Sequence, residues 1–160
     1  MGVEADMAIE TKPFEILLAE DSPADAELVC EALKEHHINC SLRVVRDGAQ
    51  AVTFIDSLDR DPKAPPLDLL LLDMHFPKRD GEEVLRCLRS TESYARTPVV
   101  VMTGFASSAL PETGAGHAAT VYFQKPSTLE EFMQLGSIVR RLLENNAATR
   151  RRQANDGGEV

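Results

Sequence analysis

The sequence lacks the features of several protein classes. It contains no tryptophan and only 5% aromatic residues, and no apolar run approaches the roughly 20 residues that a membrane-spanning helix needs. The N-terminal residues 1–12 are acidic and contain no apolar core of the kind found in secretory signals. We therefore expect neither a membrane partner nor secretion.

Cysteine and positive charge are also scarce. Cys30, Cys40 and Cys87 do not have the spacing of a metal site and, because there are three of them, cannot all pair. This is typical of reduced, mostly buried thiols in a cytoplasmic protein. The formal net charge of -9 argues against nucleic acid as a partner, because binding a polyanion requires a basic surface.

The sequence does contain a regular alternation of apolar runs and helical patterns. Runs typical of buried strands cover residues 14–19, 67–72, 98–103 and 120–123, and a weaker alternating run at 41–46 is typical of an edge strand. Helical patterns separate the runs. The alternation predicts an α/β protein with a doubly wound (βα)5 fold and a five-stranded parallel sheet.

The length of 160 residues is enough for one domain with a substantial core. We predict a folded domain over residues 13–145. The polar ends, residues 1–12 and 146–160, are predicted to be disordered.

Capping residues predict where two of the helices begin. Ser22 followed by Pro23 is typical of a helix start, and Ser127 is predicted to cap a last helix that ends near Asn145. The segment 106–118 contains one proline and two glycines, so we expect a short or irregular helix there.

The most informative feature is a single carboxylate, Asp73, directly after the leucine-rich run 67–72. A strand buried on both faces does not need a charge, and open α/β sheets bind ligands at the carboxyl ends of their strands. The other strands also end in polar residues, namely Glu20 and Asp21, Thr103, and Lys125. Parallel strands bring these groups to one edge, where crowded carboxylates favour a hard cation such as Mg²⁺.

The set contains no serine, cysteine or histidine nucleophile with an obvious base. A carboxylate nucleophile, a metal, a lysine and a hydroxyl suit phosphoryl transfer onto Asp73. Each residue also has a structural alternative. Asp73 could cap a turn, and Glu20 and Asp21 could cap a helix. Thr103 could be an ordinary β-branched strand residue, and Lys125 a solvated loop lysine.

Four segments, in this order, resemble the motifs of bacterial response-regulator receiver domains: AEDSPAD (19–25), LLLLDMHFPKRDG (69–81), VVVMTGF (99–105) and YFQKP (122–126). The resemblance extends over roughly residues 14–145. It implies the flavodoxin-like receiver fold, in which the strand order is 2-1-3-4-5.

The resemblance implies a role for each residue at the strand ends. Asp73 would accept a phosphoryl group from a histidine kinase or a histidine phosphotransfer protein. Thr103 and Lys125 would contact that group. The ligands of Mg²⁺ would be Glu20, Asp21, Asp73 and the backbone carbonyl of His75.

Four further positions take roles from the resemblance. Tyr122 would be the switch aromatic, and Pro126 would follow a cis peptide bond. His75 and Phe105 would border the water that hydrolyses the acyl phosphate. Neither side chain is an amide or a carboxylate that orients water, so we predict a long-lived phosphoryl state.

The last helix carries two apolar stripes. Residues that we expect to face the sheet recur at spacings of three and four, namely Leu129, Phe132, Met133, Gly136, Val139 and Leu143. A second stripe consists of Leu135, Ile138 and Leu142. It is either part of a broad buried face or a partner surface, for example of a homodimer.

We predict a single-domain response regulator of a two-component system that signals through protein contacts, because too few residues follow the last helix for an output domain. It would be a phosphoacceptor and not an enzyme beyond self-catalysed phosphorylation and dephosphorylation. The EDS motif and the proline-rich loop at 59–66 resemble the stand-alone regulators that serve bacterial phytochromes. The alternatives are a phosphorelay intermediate, a pseudo-receiver scaffold that is not phosphorylated, and a phosphohydrolase, although His75 stands where such enzymes have a second aspartate.

Overall fold

The structure is a computed structural model that describes residues 12–74, 81–104 and 120–156. Its strands are β1 (Phe14–Ala19), β2 (Cys40–Val45), β3 (Leu69–Asp73), β4 (Val99–Thr103) and β5 (Thr120–Gln124). Its helices are α1 (Pro23–Glu35), α2 (Gly48–Arg60), α3 (Gly81–Ser90), α4 (Leu129–Phe132) and α5 (Gln134–Asp156), with a short 3-10 helix at Glu92–Tyr94.

The strands form one parallel sheet in the order β2-β1-β3-β4-β5. The predicted fold class and the strand order 2-1-3-4-5 are therefore confirmed. Every residue of the central strand β3 is buried. Because successive side chains point to opposite faces, Leu69 and Leu71 pack with α1 and α5, whereas Leu70 and Leu72 pack with α2 and α3.

The alternating run predicted to be an edge strand forms β2 at one edge of the sheet. Its residues are mostly exposed or half-buried, and Val44 keeps 40% of its surface accessible. An edge strand pairs on one side only, which is why its sequence is less apolar than that of β3.

Two expectations from the composition concern cysteines and membranes. Cys30, Cys40 and Cys87 are free and half-buried, and burial raises the pKa of the Cys40 and Cys87 thiols. These thiols are therefore held in the protonated, unreactive form. Among the described residues, no helix combines the length and the apolar character needed to cross a bilayer.

The first helix begins where the sequence predicted. Ser22 is the N-cap of α1, and its Oγ accepts a hydrogen bond of 3.3 Å from the backbone N–H of Asp25. Pro23 occupies the first helical position, where a missing N–H costs nothing. This cap determines the direction in which the first turn of α1 leaves the sheet edge.

The last helical region differs from its prediction at both ends. Thr128, and not Ser127, is the N-cap, and its Oγ1 accepts a hydrogen bond from the N–H of Glu131. An interruption at Met133 separates α4 from α5. Residues 146–156 are helical, whereas the sequence predicted a disordered tail from residue 146.

A tertiary contact explains the added length of α5. Arg150 donates hydrogen bonds to the Asp68 carboxylate at 2.9 Å and to the carbonyl of Leu67 at 3.5 Å. The other Asp68 oxygen accepts a hydrogen bond of 2.8 Å from the N–H of Glu15. These contacts attach the end of the helix to the sheet, and no local pattern in the polar tail indicates them.

The two apolar stripes of the last helix are not divided as predicted. Leu135 is fully buried in the core, so for this residue the buried face is the correct alternative and the partner surface is not. Leu129 was expected to face the sheet but is 61% exposed at the first position of α4, directly after the N-cap Thr128. Ile138 and Leu142 are partly buried against the core, and a partner surface formed by them stays a prediction.

Helices α1 and α5 approach closely at a glycine. A Cβ atom at Gly136 would collide with the carbonyl oxygen of Ala32 and with the ring of His36. The His36 Nε2 atom also lies 3.0 Å from the carbonyl oxygen of Met133. Glycine at this position therefore allows the two helices to pack at a distance that a larger residue would prevent.

Candidate functional site

The polar residues predicted to meet at the strand ends do lie at the same edge of the sheet. Glu20 and Asp21 follow β1, Asp73 ends the adjacent strand β3, and Thr103 ends β4. Lys125 follows β5, and its backbone N–H donates a 2.7 Å hydrogen bond to the carbonyl of Thr103. The site therefore lies at the carboxyl end of the sheet, where open α/β folds bind ligands.

Three carboxylates form the acidic part of the site. Glu20, Asp21 and Asp73 each offer one oxygen, and these oxygens lie within 4.8 Å of one another. Glu20 and Asp73 are only 1% and 4% exposed, whereas Asp21 is exposed. A buried carboxylate needs a counter-charge or a hydrogen-bond donor, so the arrangement requires a cation nearby.

The Lys125 ammonium group supplies one positive charge. Its Nζ lies 2.9 Å from an oxygen of Glu20, 2.8 Å from an oxygen of Asp25 and 3.5 Å from an oxygen of Asp73. The other Glu20 oxygen accepts a 3.2 Å hydrogen bond from the N–H of Ser22. Glu20 is therefore oriented from both sides.

Burial and charge shift the protonation of the two central groups. The pKa of Glu20 is raised to about 7, chiefly by burial and also by the neighbouring Asp73, against the opposing effect of Lys125. Burial alone would lower the pKa of Lys125, but hydrogen bonds to Asp25 and Glu20 and the charge of Asp73 outweigh it. The pKa of Lys125 is consequently raised, and the lysine is fully charged at neutral pH.

The donor set fits a hard divalent cation. Oxygen ligands from one to three carboxylates, completed by waters, are what Mg²⁺ prefers in proteins. Glu20, Asp21 and Asp73 provide these oxygens close together, and the exposed Asp21 leaves the site open to solvent on one side. A cation bound there would also favour the ionised form of Glu20, which burial disfavours.

The other predicted site residues are Tyr122, His75 and Phe105. Tyr122 is partly buried and packs against the core on the face formed with α2 and α3. His75 and Phe105 lie outside the described residues, as do the predicted helix over 106–118 and the terminal residues 1–11 and 157–160. Their predicted roles stay predictions.

The prediction of a cis peptide bond before Pro126 is wrong. The part of the chain that the structure describes includes Lys125 and Pro126, and it contains no cis peptide bond. The trans form of a bond before proline is favoured by about 0.5–1 kcal/mol, and the Lys125 side chain reaches its three carboxylates with the trans bond.

Asp25 is the residue that sequence reasoning missed. It is an acidic residue in the first turn of α1, a position that by itself suits only the helix dipole, yet its carboxylate also contacts Lys125. The only signal in the sequence is its position as the third residue of α1, directly after the capped start. Nothing local indicates that a residue one hundred positions later reaches it.

The chain is similar to known proteins over most of its described length. The response regulator receiver domain family matches residues 16–136. Among curated proteins, the chain is similar to response regulator Rcp1 of Synechocystis sp., with 43% identity over 91 residues that cover 57% of this chain and 62% of Rcp1. The chain thus spans less than two-thirds of the length of that relative.

Two solved structures share both the fold and part of the sequence. The phosphorylated cyanobacterial phytochrome response regulator RcpA superposes with a TM-score of 0.66 and 29% identity, covering 82% of this chain and 94% of RcpA. The Mn²⁺-bound form of Rcp1 superposes with a TM-score of 0.65 and 33% identity, covering 78% of this chain and 89% of Rcp1.

Proposed function

We propose that this chain, which belongs to the response regulator receiver domain family, accepts a phosphoryl group on Asp73 as part of two-component signalling. The observation that carries the proposal is that three carboxylates and a lysine lie together at one edge of the sheet. Asp73 is buried at the end of β3, two further carboxylates lie within 4.8 Å of one another and of it, and a charged lysine stands 3.5 Å away.

Each residue has a part in the transfer that its position supports. A carboxylate oxygen of Asp73 forms a bond to phosphorus while the P–N bond of a phosphohistidine breaks, and the departing imidazole nitrogen keeps the electron pair and takes up a proton. Lys125 donates hydrogen bonds to the new phosphoryl oxygens, and the Thr103 hydroxyl is on the adjacent strand.

Glu20, Asp21 and Asp73 are the residues that would hold Mg²⁺. When bound, the cation neutralises negative charge on the phosphoryl oxygens. The Mn²⁺-bound form of the similar Rcp1 supports the binding of a divalent cation.

The donor and the output belong to the same proposal. A histidine kinase supplies the phosphoryl group, and the similarity to the cyanobacterial phytochrome response regulator RcpA supports a kinase of the bacterial phytochrome type. The chain acts as a phosphoacceptor that transmits the signal through protein contacts, and it does not turn over a free substrate. Localisation in the cytoplasm follows from a kinase partner of this kind.

The test is intact-mass measurement after incubation with acetyl phosphate and Mg²⁺. We expect one phosphoryl adduct on the wild type and none on Asp73→Asn, which removes the nucleophilic oxygen. Asp56→Asn, an exposed aspartate on α2, is the matched control and should be phosphorylated like the wild type. A wild type without an adduct would favour the scaffold, and turnover of a small phosphomonoester would favour a phosphohydrolase.

A further inference from the structure

Lys125 lies closer to Asp25 than to the carboxylate on which the proposed phosphoryl transfer takes place. The Nζ atom is 2.8 Å from an oxygen of Asp25 but 3.5 Å from an oxygen of Asp73. A separation of 2.8 Å is a strong charge-assisted hydrogen bond, whereas 3.5 Å is at the limit of one. The ammonium group is thus displaced toward α1.

The position of Asp25 follows from the capped start of α1. Its backbone N–H donates to the Oγ of Ser22, which is the N-cap, so the first turn cannot shift freely. The side chain of Asp25 is 32% exposed and that of Lys125 only 15%. The ion pair therefore lies at the rim of the site, and Lys125 is its more buried member.

An ammonium group has three N–H donors, and this structure directs them at three carboxylates. They are those of Glu20, Asp25 and Asp73. A phosphoryl group on Asp73 brings new acceptor oxygens, so Lys125 can contact them only by giving up an existing partner. Asp25 is the partner farthest from the acidic cluster, because it is not among the three carboxylates that lie together.

We propose that Asp25 is a positioning residue that holds the Lys125 ammonium group away from Asp73 until a phosphoryl group competes for it. This inference rests on the proposed function of Asp73. Asp25 thereby lowers the affinity of the site for a phosphoryl group. Removing its charge should strengthen the binding of a phosphoryl analogue, whereas damage to the structure would weaken it.

The expected effect is modest because the contact is partly exposed to solvent. For a rim ion pair of this exposure, Asp25→Asn should bind beryllofluoride about three- to fivefold more tightly at saturating Mg²⁺. Asp25→Glu keeps the charge and should stay within about twofold of the wild type. Glu27→Gln removes the charge of an exposed residue in the same helix and is the matched control.

The readout is the backbone amide resonance of Thr103, followed by NMR during a beryllofluoride titration. The chain contains no tryptophan, so a resonance next to the site is preferable to fluorescence. A tighter Asp25→Asn with unchanged Asp25→Glu and Glu27→Gln supports the proposal. An Asp25→Asn variant that binds like the wild type, or more weakly, overturns it.

A second comparison tests whether Asp25 acts by holding Lys125 or by directly repelling the bound beryllofluoride. In a Lys125→Met background, the effect of Asp25→Asn should fall below about twofold, because there is no ammonium group left to hold. The two backgrounds are compared by the initial slope of adduct formation against beryllofluoride concentration, which does not require saturation. An effect of the same size in both backgrounds overturns the proposal.

The wild-type titration distinguishes failure of this inference from failure of the proposed function. If the wild type forms no beryllofluoride adduct with Mg²⁺, both are wrong. If it forms one and the Asp25 variants do not differ from it as described, only the role of Asp25 is wrong.

Discussion

Protons should compete with Mg²⁺ for Glu20 near neutral pH. Burial raises the pKa of this carboxyl group to about 7 from an ordinary value of 4.5, so the metal-free protein is partly protonated there at neutral pH. A cation needs the ionised form. Between about pH 6 and pH 8 the ionised fraction rises about tenfold, and the apparent affinity for Mg²⁺ should rise by the same factor.

The same shift determines how the stability of the metal-free protein depends on pH. The pKa of Glu20 is higher in the folded than in the unfolded protein, so the unfolded chain releases this proton at lower pH. The contribution of Glu20 is fully present below about pH 4.5 and is lost as the pH rises to about 7. The loss is at most about 3 kcal/mol, and saturating Mg²⁺ should abolish it.

Isothermal titration calorimetry in two buffers of different ionisation enthalpy measures both affinity and proton release. At about pH 7, Mg²⁺ binding should release about half a proton. Glu20→Gln is the control: it should bind Mg²⁺ more weakly and lose the proton release due to this group. Equal wild-type affinity at both ends of the pH range, without proton release, would refute the raised pKa of Glu20.

Two further predictions concern the packing of α5. Gly136→Ala would press a methyl group against His36 and should lower the free energy of unfolding, measured in urea, by about 1–3 kcal/mol. The control is Ser137→Ala, on the exposed side of the same helix, which should raise the free energy of unfolding by a few tenths of a kcal/mol. An alanine at residue 136 that left stability unchanged would contradict the close helix packing. Asp68→Ala should cost about 1–3 kcal/mol because it removes the acceptor for a backbone N–H as well as for Arg150. Arg150→Gln should cost less than about 1 kcal/mol but speed amide exchange in residues 146–156, and unchanged exchange would argue against this anchor.

The fold and most of the site could be predicted because they depend on local patterns. The leucine run that becomes β3 is too apolar for anything but a buried strand, and alternation with helical patterns leaves a parallel sheet as the economical arrangement. In such a sheet all carboxyl ends lie at one edge. Residues directly after strands, such as Glu20, Asp73 and Lys125, must therefore lie near one another.

Features that depend on contacts between distant segments could not be predicted in this way. The predicted end of the last helix was wrong because Arg150 is held by Asp68, a residue distant in the sequence. Whether Leu135 belongs to a buried face or to a partner surface stayed open, because helical spacing shows that a stripe is apolar but not which neighbours cover it. A period of 3.6 residues carries no information about the number of faces that a helix buries.

Asp73, at the end of the leucine-rich strand, shows most clearly what the sequence determines and what only the tertiary structure determines. Pattern and strand order already place Asp73 beside an acidic pair and a lysine, because a parallel sheet collects its strand ends at one edge. Which carboxylate lies closest to Lys125 depends on the direction of the first turn of α1 and on the reach of flexible side chains. Those are properties of packing in three dimensions, and only the folded structure shows that Asp25 is the closest of the three.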